Sequence, residues 1–303
     1  GALTTAANTT LAVNLTGAVT TGALTVDTDI TTININGAGT ANTIASLVDA
    51  SATAVNVAGS VGVTITAQTL AAAAVITSTN TAGTTLSAAL GTAQQFVGGD
   101  GADSVSVAAT TKAIDMGAGD DEVIFFAASD AVVSITAGEG SDSVEVWAEE
   151  DGGNYVPVDL TVNAGADDDV VEIHANRDSI EAASFDMGDG MNTLRYDYEP
   201  GGTTEWSDSD IERFDLDNVE GSVHTLGLDV NLDISDDVTL DLTGVGGVSV
   251  LEIEGATLVS SDAAHGSVLT IDGAAADFTI EAGNNDFGDA NPGSQDLDED
   301  ALG

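Results

Sequence analysis

Residues 98–106 read GGDGADSVS, and the rest of the chain is interpreted from this stretch. Four related stretches follow: GAGDDEV at 117–123, GEGSDSV at 138–144, GADDDVV at 165–171 and GDGMNTL at 188–194. Each is a turn rich in Gly and Asp that runs directly into a short segment with alternating apolar residues, which is typical of a strand. A turn–strand unit that recurs along a chain predicts a repeat architecture in which each unit stacks on its neighbours.

The spacing of these stretches predicts one turn per coil. We call them turns 1 to 5 and number their positions so that Gly98 is position one. The fourth positions are then Gly101, Gly119, Gly140, Asp167 and Gly190. Successive turns are 18, 21, 27 and 23 residues apart. Two nine-residue units make a coil of about 18 residues, so we assign the extra residues to a variable edge opposite the turns, as at 127–130 and 149–154.

Residue types in the turns indicate calcium. Glycine at positions two and four permits tight turns and leaves carbonyl oxygens accessible, and the acid at position six directs a carboxylate towards them. Calcium takes about six to eight oxygen ligands, more than one turn supplies, so each ion is predicted to bridge two coils. The predicted metal-binding residues are Gly99, Asp100, Gly101, Asp103, Gly117, Gly119, Asp120, Asp121, Gly138, Gly140, Asp142, Gly165, Asp167, Asp169, Gly188, Asp189, Gly190 and Asn192. For any single turn the alternative is a solvated β-turn without an ion, but five turns in shared register favour calcium.

The predicted fold is all-β: a right-handed parallel β-solenoid (β-roll or β-helix) with a calcium-binding Gly/Asp edge. Short segments rich in Thr, Val and Ile before and after the turns indicate strands of further coils of the same kind. The apolar residues at position eight are predicted to point into the coil: Val105, Val123, Val144, Val171 and Leu194. We divide the chain into a nearly uncharged solenoid at 1–96, a calcium-binding roll at 97–200, and an acidic solenoid with an acidic tail at 201–303.

The net charge is −47, and its distribution is uneven. Only three of the 51 acidic residues precede residue 97, so a uniformly acidic halophilic surface explains the composition poorly. Such a chain repels nucleic acid and anionic membranes and needs cations. It has no cysteine, which excludes disulfides and thiolate sites, and no apolar run long enough to predict membrane insertion.

Turn 1 fills every fixed place of the nonapeptide G-G-x-G-x-D-x-U-x and resembles the RTX family of secreted bacterial calcium-binding β-roll proteins. Turns 2 and 3 lack only the first glycine, turn 4 has Asp167 where glycine is expected, and turn 5 has Asn192 in place of the acid. The resemblance covers about a third of the chain, and the flanking sequence, rich in Thr, Ala and Val, is similar to that of RTX-type S-layer and cell-surface proteins. It implies type I secretion, folding on external calcium, and an extracellular, cell-surface role.

These observations predict a structural protein that folds on calcium and self-assembles with copies of itself into a surface layer. The sequence contains no zinc-protease helix motif or nucleophile elbow, so we predict that it is not an enzyme. One alternative is an adhesin module that binds a glycan, such as a cell-surface polysaccharide, through aromatic residues Trp147, Tyr155, Tyr196, Tyr198 and Trp206. Another is an accessory domain of a larger RTX protein.

Overall fold

The chain is a β-solenoid, as the sequence predicts. The computed structural model describes residues 9–17, 20–91, 93–108, 112–126, 132–148, 159–175 and 183–197, and after these the backbone of six further strands. Every strand pair is parallel, and none of these residues is helical. It follows that no helix in the described part of the chain could cross a lipid bilayer.

Two long sheets form the body of the solenoid, and the chain alternates between them. The first is 10-stranded. Its strands, in spatial order, are β1 (Thr10–Thr16), β3 (Thr32–Ala38), β5 (Ala54–Gly59), β8 (Val75–Asn80), β10 (Gln95–Val97), β12 (Ile114–Ala118), β14 (Val132–Glu139), β16 (Asp159–Ala166), β18 (Ser184–Asp186) and β20 (Val219–Glu220).

The second sheet is 13-stranded and follows the same order along the axis. Its strands are β2 (Thr20–Thr25), β4 (Asn42–Asp49), β6 (Val63–Ile65), β9 (Thr84–Leu90), β11 (Ser104–Ala108), β13 (Glu122–Phe126), β15 (Ser143–Ala148), β17 (Val170–Ala175), β19 (Asn192–Asp197), β21 (Val223–Asp229), β23 (Val250–Glu254) and β25 (Thr279–Ala282), with β7 (Gln68–Leu70) beside β4. The remaining strands, β22 (Val238–Asp241) and β24 (Leu269–Asp272), pair with each other.

Alternation of small polar and β-branched residues explains why these segments are strands. In β3 the side chains of Ile33 and Ile35 are buried, whereas those of Asn34 and Asn36 are exposed. β-Branched residues suit a pleated surface that is buried on one side. Burying each of these aliphatic side chains contributes about 1.5–3 kcal/mol relative to exposing it. The core is therefore a continuous apolar layer between the two sheets, mostly aliphatic.

The predicted register is confirmed in both sheets. Ser104 pairs with Glu122 in the second sheet, and Val97 pairs with Asp115 in the first, so both sheets advance by the same interval in this coil. The position-eight residues form one paired column and are at most 1% exposed: Val105, Val123, Val144, Val171 and Leu194. In turns 1 to 5 the connection between the two sheets has constant length, so the length differences between these coils arise on the opposite edge.

The two stretches of that opposite edge named above, 127–130 and 149–154, lie outside the described part of the chain. The same holds for Tyr155, Tyr198, Trp206 and the acidic tail. Within the described part, both sheets continue across residue 97, where the acidic residues begin. Strand β10 pairs with β8 on one side and β12 on the other.

Candidate metal site

Columns of closely stacked glycine run along the turn edge. In one column Gly117, Gly138 and Gly165 each have positive φ, between 99 and 125°. A Cβ added to Gly138 or Gly165 would meet the carbonyl group of the glycine one coil earlier, coming within 2.9 Å of its carbonyl carbon. The backbones of successive turns are therefore in direct contact, and only glycine fits between them.

Turn 1 uses glycine for a different reason. Gly99 and Gly101 are not in the left-handed region, but a Cβ on Gly101 would lie 2.5 Å from the backbone nitrogen of Gly83. Asp167 of turn 4 occupies the glycine position with φ 82° and is the one non-glycine residue with positive φ among the described residues. Asp tolerates this conformation better than most residues, so the altered turn keeps the shape of its neighbours.

The position-six residues form a hydrogen-bonded ladder that runs from coil to coil. We call it the position-six ladder, and it consists of Asp103, Asp121, Asp142, Asp169 and Asn192, all at most 3% exposed. In each step, Oδ1 of one residue accepts the backbone N–H of the ladder residue one coil earlier. The four nitrogen–oxygen distances are 2.6, 2.8, 2.9 and 2.8 Å. Each side chain thus satisfies a buried backbone donor that would otherwise lack a partner.

The second carboxylate oxygen is treated differently. Oδ2 of Asp121, Asp142 and Asp169 is buried and receives no hydrogen bond from the described residues. Burial raises the pKa of Asp121 and Asp169 to about 7 and that of Asp142 to about 6; neighbouring carboxylates add to this, and the backbone N–H of the preceding ladder residue opposes it. A buried carboxylate without a partner is destabilising unless a proton or a cation neutralises it.

The ladder ends on neutral groups towards the N-terminus. Oδ1 of Asp103 accepts the backbone N–H of Thr84 at 2.6 Å and the hydroxyl of Ser78 at 3.2 Å, while Oδ2 accepts the N–H of Gly99 at 3.4 Å. Both oxygens of Asp103 therefore have protein donors, although burial also raises its pKa. Sequence reasoning did not include Ser78 and Thr84. Their spacing from Asp103 could have indicated them, because Thr84 precedes Asp103 by 19 residues, about one coil.

The other predicted acidic residues lie on the exposed rim of the turns. Asp100, Asp120, Asp167 and Asp189 are all exposed. Asp120 Oδ1 accepts the backbone N–H of Ser141 at 3.0 Å, and so links turn 2 to turn 3. Asp168, which was not in the predicted set, makes the matching contact with the N–H of Met191 at 2.9 Å.

The donor set suits a hard cation that is held largely by backbone oxygens. No group of three or more His, Cys, Asp or Glu side chains that could hold a metal ion occurs within the described residues. Turns 1 to 4 each supply one ladder carboxylate, and the main-chain carbonyls of successive turns are closely stacked. Calcium accepts both carboxylate and carbonyl oxygens, whereas zinc prefers nitrogen and sulfur ligands. The orphaned Oδ2 atoms therefore fit calcium.

A second cluster lies on the second sheet, away from the turns. The rings of Trp147 and His174 are stacked, with centroids 3.8 Å apart and planes inclined by 10°. Nε2 of His174 lies 3.2 Å from Glu145 Oε1 and 3.7 Å from Glu172 Oε1. Phe126, which precedes Trp147 in the same register column, is 43% exposed. Of the predicted aromatic contacts, Trp147 is the one whose side chain is described.

Comparison with protein-family models found no match for the chain, and a search of curated protein sequences found none.

Proposed function

We propose that this chain is a calcium-dependent structural protein of the RTX type that acts outside the cell. The observation that carries the proposal is the set of three buried, unpartnered carboxylate oxygens stacked along one edge, on Asp121, Asp142 and Asp169. The backbones of these turns are closely stacked, and in turn 5 the matching side-chain atom, Nδ2 of Asn192, lies 2.6 Å from a main-chain carbonyl oxygen. A divalent cation between successive turns would neutralise the carboxylates and satisfy both kinds of oxygen.

The ion would supply positive charge that the few basic residues of the chain cannot provide. The whole protein has four Lys and Arg residues against 51 acidic ones, and three of the four acidic ladder members receive no hydrogen bond on Oδ2 from the part of the chain that the structure describes. Because a complete ion shell requires oxygens from two coils, binding free energy becomes stacking free energy. Extracellular calcium modules bind with Kd of about 10⁻⁴–10⁻³ M, so the chain is expected to fold after secretion rather than in the cytosol.

A calcium titration of the full chain, followed by circular dichroism and calorimetry, tests the metal assignment. Saturable calcium binding should accompany a rise in the unfolding temperature, and magnesium at the same concentration should have a smaller effect because it demands a stricter octahedral shell. A chain that binds no calcium and unfolds at the same temperature in excess chelator would contradict the proposal.

Self-assembly is the second part of the proposal. Parallel coils give the molecule long, regular faces, and the fold offers repeated positions for contacts between copies. We expect sedimentation velocity and electron microscopy to show ordered arrays of the chain with calcium and their loss in chelator. A chain that remains monomeric at high protein and calcium concentration would refute assembly while leaving the calcium site untouched.

A second candidate function rests on the stacked pair of Trp147 and His174. A flat aromatic pair beside the carboxylates of Glu145 and Glu172 is suited to the face of a sugar ring, with the acids accepting hydroxyl hydrogen bonds. Glycan-array binding that is lost in Trp147→Ala but retained in Asp115→Asn would favour a polysaccharide-binding adhesin. No binding by the calcium-loaded wild type would exclude this candidate.

A further inference from the structure

Asn192, the ladder member of turn 5, makes the same backbone contact through Oδ1 as the aspartates of the ladder. Its Oδ1 accepts the backbone N–H of Asp169 at 2.8 Å, as each Asp accepts the N–H of its predecessor. Its side chain is fully buried, like those of the acids. Replacement of Asp by Asn has therefore preserved the step that joins one coil to the next.

The other terminal side-chain atom of Asn192, Nδ2, differs from the Oδ2 atom of the aspartates. Nδ2 of Asn192 donates a hydrogen bond to the carbonyl oxygen of Met187, at position one of the same turn, at 2.6 Å. In turns 2 to 4 the corresponding side-chain atom is an oxygen, and it finds no donor among the described residues. At the place of Nδ2, a carboxylate oxygen has no hydrogen to donate to a carbonyl oxygen, and two acceptors repel each other unless a proton or a cation lies between them. The amide brings its own hydrogen to the same place.

We infer that Asn192 closes turn 5 in place of an ion, so that ion-dependent closure is confined to turns 2, 3 and 4. At the opposite end Ser78, Thr84 and Gly99 supply donors to Asp103 and close turn 1 in the same sense. The departure from the repeat pattern at Asn192 is then a built-in end to the metal-dependent run. The metal part of this inference rests on the proposed function, whereas the closure by the amide does not.

The consequence is that the choice of Asp or Asn at position six sets whether a turn needs calcium. Asp142→Asn and Asp169→Asn should each gain the amide contact to the position-one carbonyl, at Ala137 and Ala164, and lose one ion. Asn192→Asp should do the reverse: it creates a buried carboxylate oxygen without a donor and adds an ion. Asp115→Asn is the matched control, because Asp115 is exposed and removing it changes the net charge equally.

The experiment measures thermal unfolding of the full chain in chelator, together with the number of calcium ions bound per chain by calorimetry. In chelator, Asp169→Asn should unfold about 2–4 °C above Asp115→Asn, and Asn192→Asp should unfold below the wild type by a similar amount. Calcium stoichiometry should fall by one in Asp169→Asn and rise by one in Asn192→Asp. If the wild type is unfolded in chelator, the calcium concentration at half-folding takes the place of the unfolding temperature, and it should fall for Asp169→Asn and rise for Asn192→Asp.

The outcomes separate this inference from the proposed function. If no variant binds calcium but Asp169→Asn is still stabilised over Asp115→Asn, the amide closure stands and the calcium function fails. If calcium binds but Asp142→Asn and Asp169→Asn are no more stable in chelator than Asp115→Asn, and require no less calcium to fold, the inference is overturned and the calcium function stands.

Discussion

Single atoms decide the chemistry of the turn edge. The two oxygens of one carboxylate have different roles: Oδ1 joins coils through a backbone N–H, and Oδ2 is the atom in need of a counter-charge. The first role is structural and is shared by Asp and Asn. In our proposal, the second separates a turn that needs a cation from one that does not.

The pH dependence of stability follows from the raised pKa values of Asp121, Asp142 and Asp169. Unfolded Asp has a pKa near 4, so between about pH 4 and pH 7 the folded chain binds more protons than the unfolded chain. The contribution of these three groups to ion-free stability is therefore full below about pH 4 and is lost as the pH rises to about 7. Thermal unfolding in chelator at a series of pH values should show this fall, and it should be shallower in Asp169→Asn than in Asp115→Asn.

Under the proposed function calcium should reverse that trend, because a metal ion binds the deprotonated form of a carboxylate. The rise in unfolding temperature on adding calcium is expected to grow over the same pH range. Ion-free stability that instead increases with pH would show that these carboxyl groups are not the dominant titrating groups.

Glycine stacking makes a separate prediction at the same scale. Gly138→Ala places a Cβ against the Gly117 carbonyl at φ 125°. Left-handed strain alone costs about 1–2 kcal/mol, and relief of the clash requires the coils to separate. Gly22→Ala is the control, since a Cβ there meets no atom within 4 Å. Urea unfolding with calcium present should show a loss for Gly138→Ala and little change for Gly22→Ala; equal stability of the two would contradict direct backbone stacking.

Each strand is stabilised by the burial of one of its faces, and β13 carries a phenylalanine on each face. Phe125 is fully buried between the sheets, whereas its neighbour Phe126 points outwards and is 43% exposed. Phe125→Ala should destabilise the chain by about 3–5 kcal/mol because it leaves a cavity in a close-packed core. Phe126→Ala should change stability by about 0.5 kcal/mol or less. Chemical denaturation measures both, and similar losses for the two variants would mean that the assigned strand faces are wrong.

The whole molecule combines one scaffold with two kinds of edge. The same two sheets pass through coils with neutral turns and coils with acidic turns. Where the acidic ladder begins, the preceding coil supplies neutral hydrogen-bonding groups, such as Asn80, whose Nδ2 donates to the carbonyls of Val61 and Gly83 at 2.8 and 2.9 Å. Local stability is therefore expected to depend on calcium along only part of the axis.

Hydrogen exchange of the full chain tests this division. In chelator, amides of residues 32–90 should stay protected, while the ladder amides of Asp103, Asp121 and Asp142 should exchange faster because carboxylate repulsion loosens their coils. Calcium should slow exchange in the second group and leave the first nearly unchanged. Uniform changes along the chain would indicate instead that the solenoid responds as one cooperative unit.

The sequence by itself was sufficient to predict the parallel solenoid, the register of turns 1 to 5 and the buried column from Val105 to Leu194. These features repeat from coil to coil, so they are visible in the sequence as regularly spaced residue types. The hydrogen-bond partners of the ladder were decided by the tertiary structure, because the donor to Asp169 Oδ1 lies 27 residues away in a neighbouring coil. Turn 1 fills every fixed place of the motif, yet both oxygens of Asp103 have protein donors, whereas Oδ2 of Asp121, Asp142 and Asp169 has none among the described residues. The physical reason is that a period specifies which residues stack, whereas whether a buried carboxylate oxygen has a donor depends on which atoms the fold brings next to it.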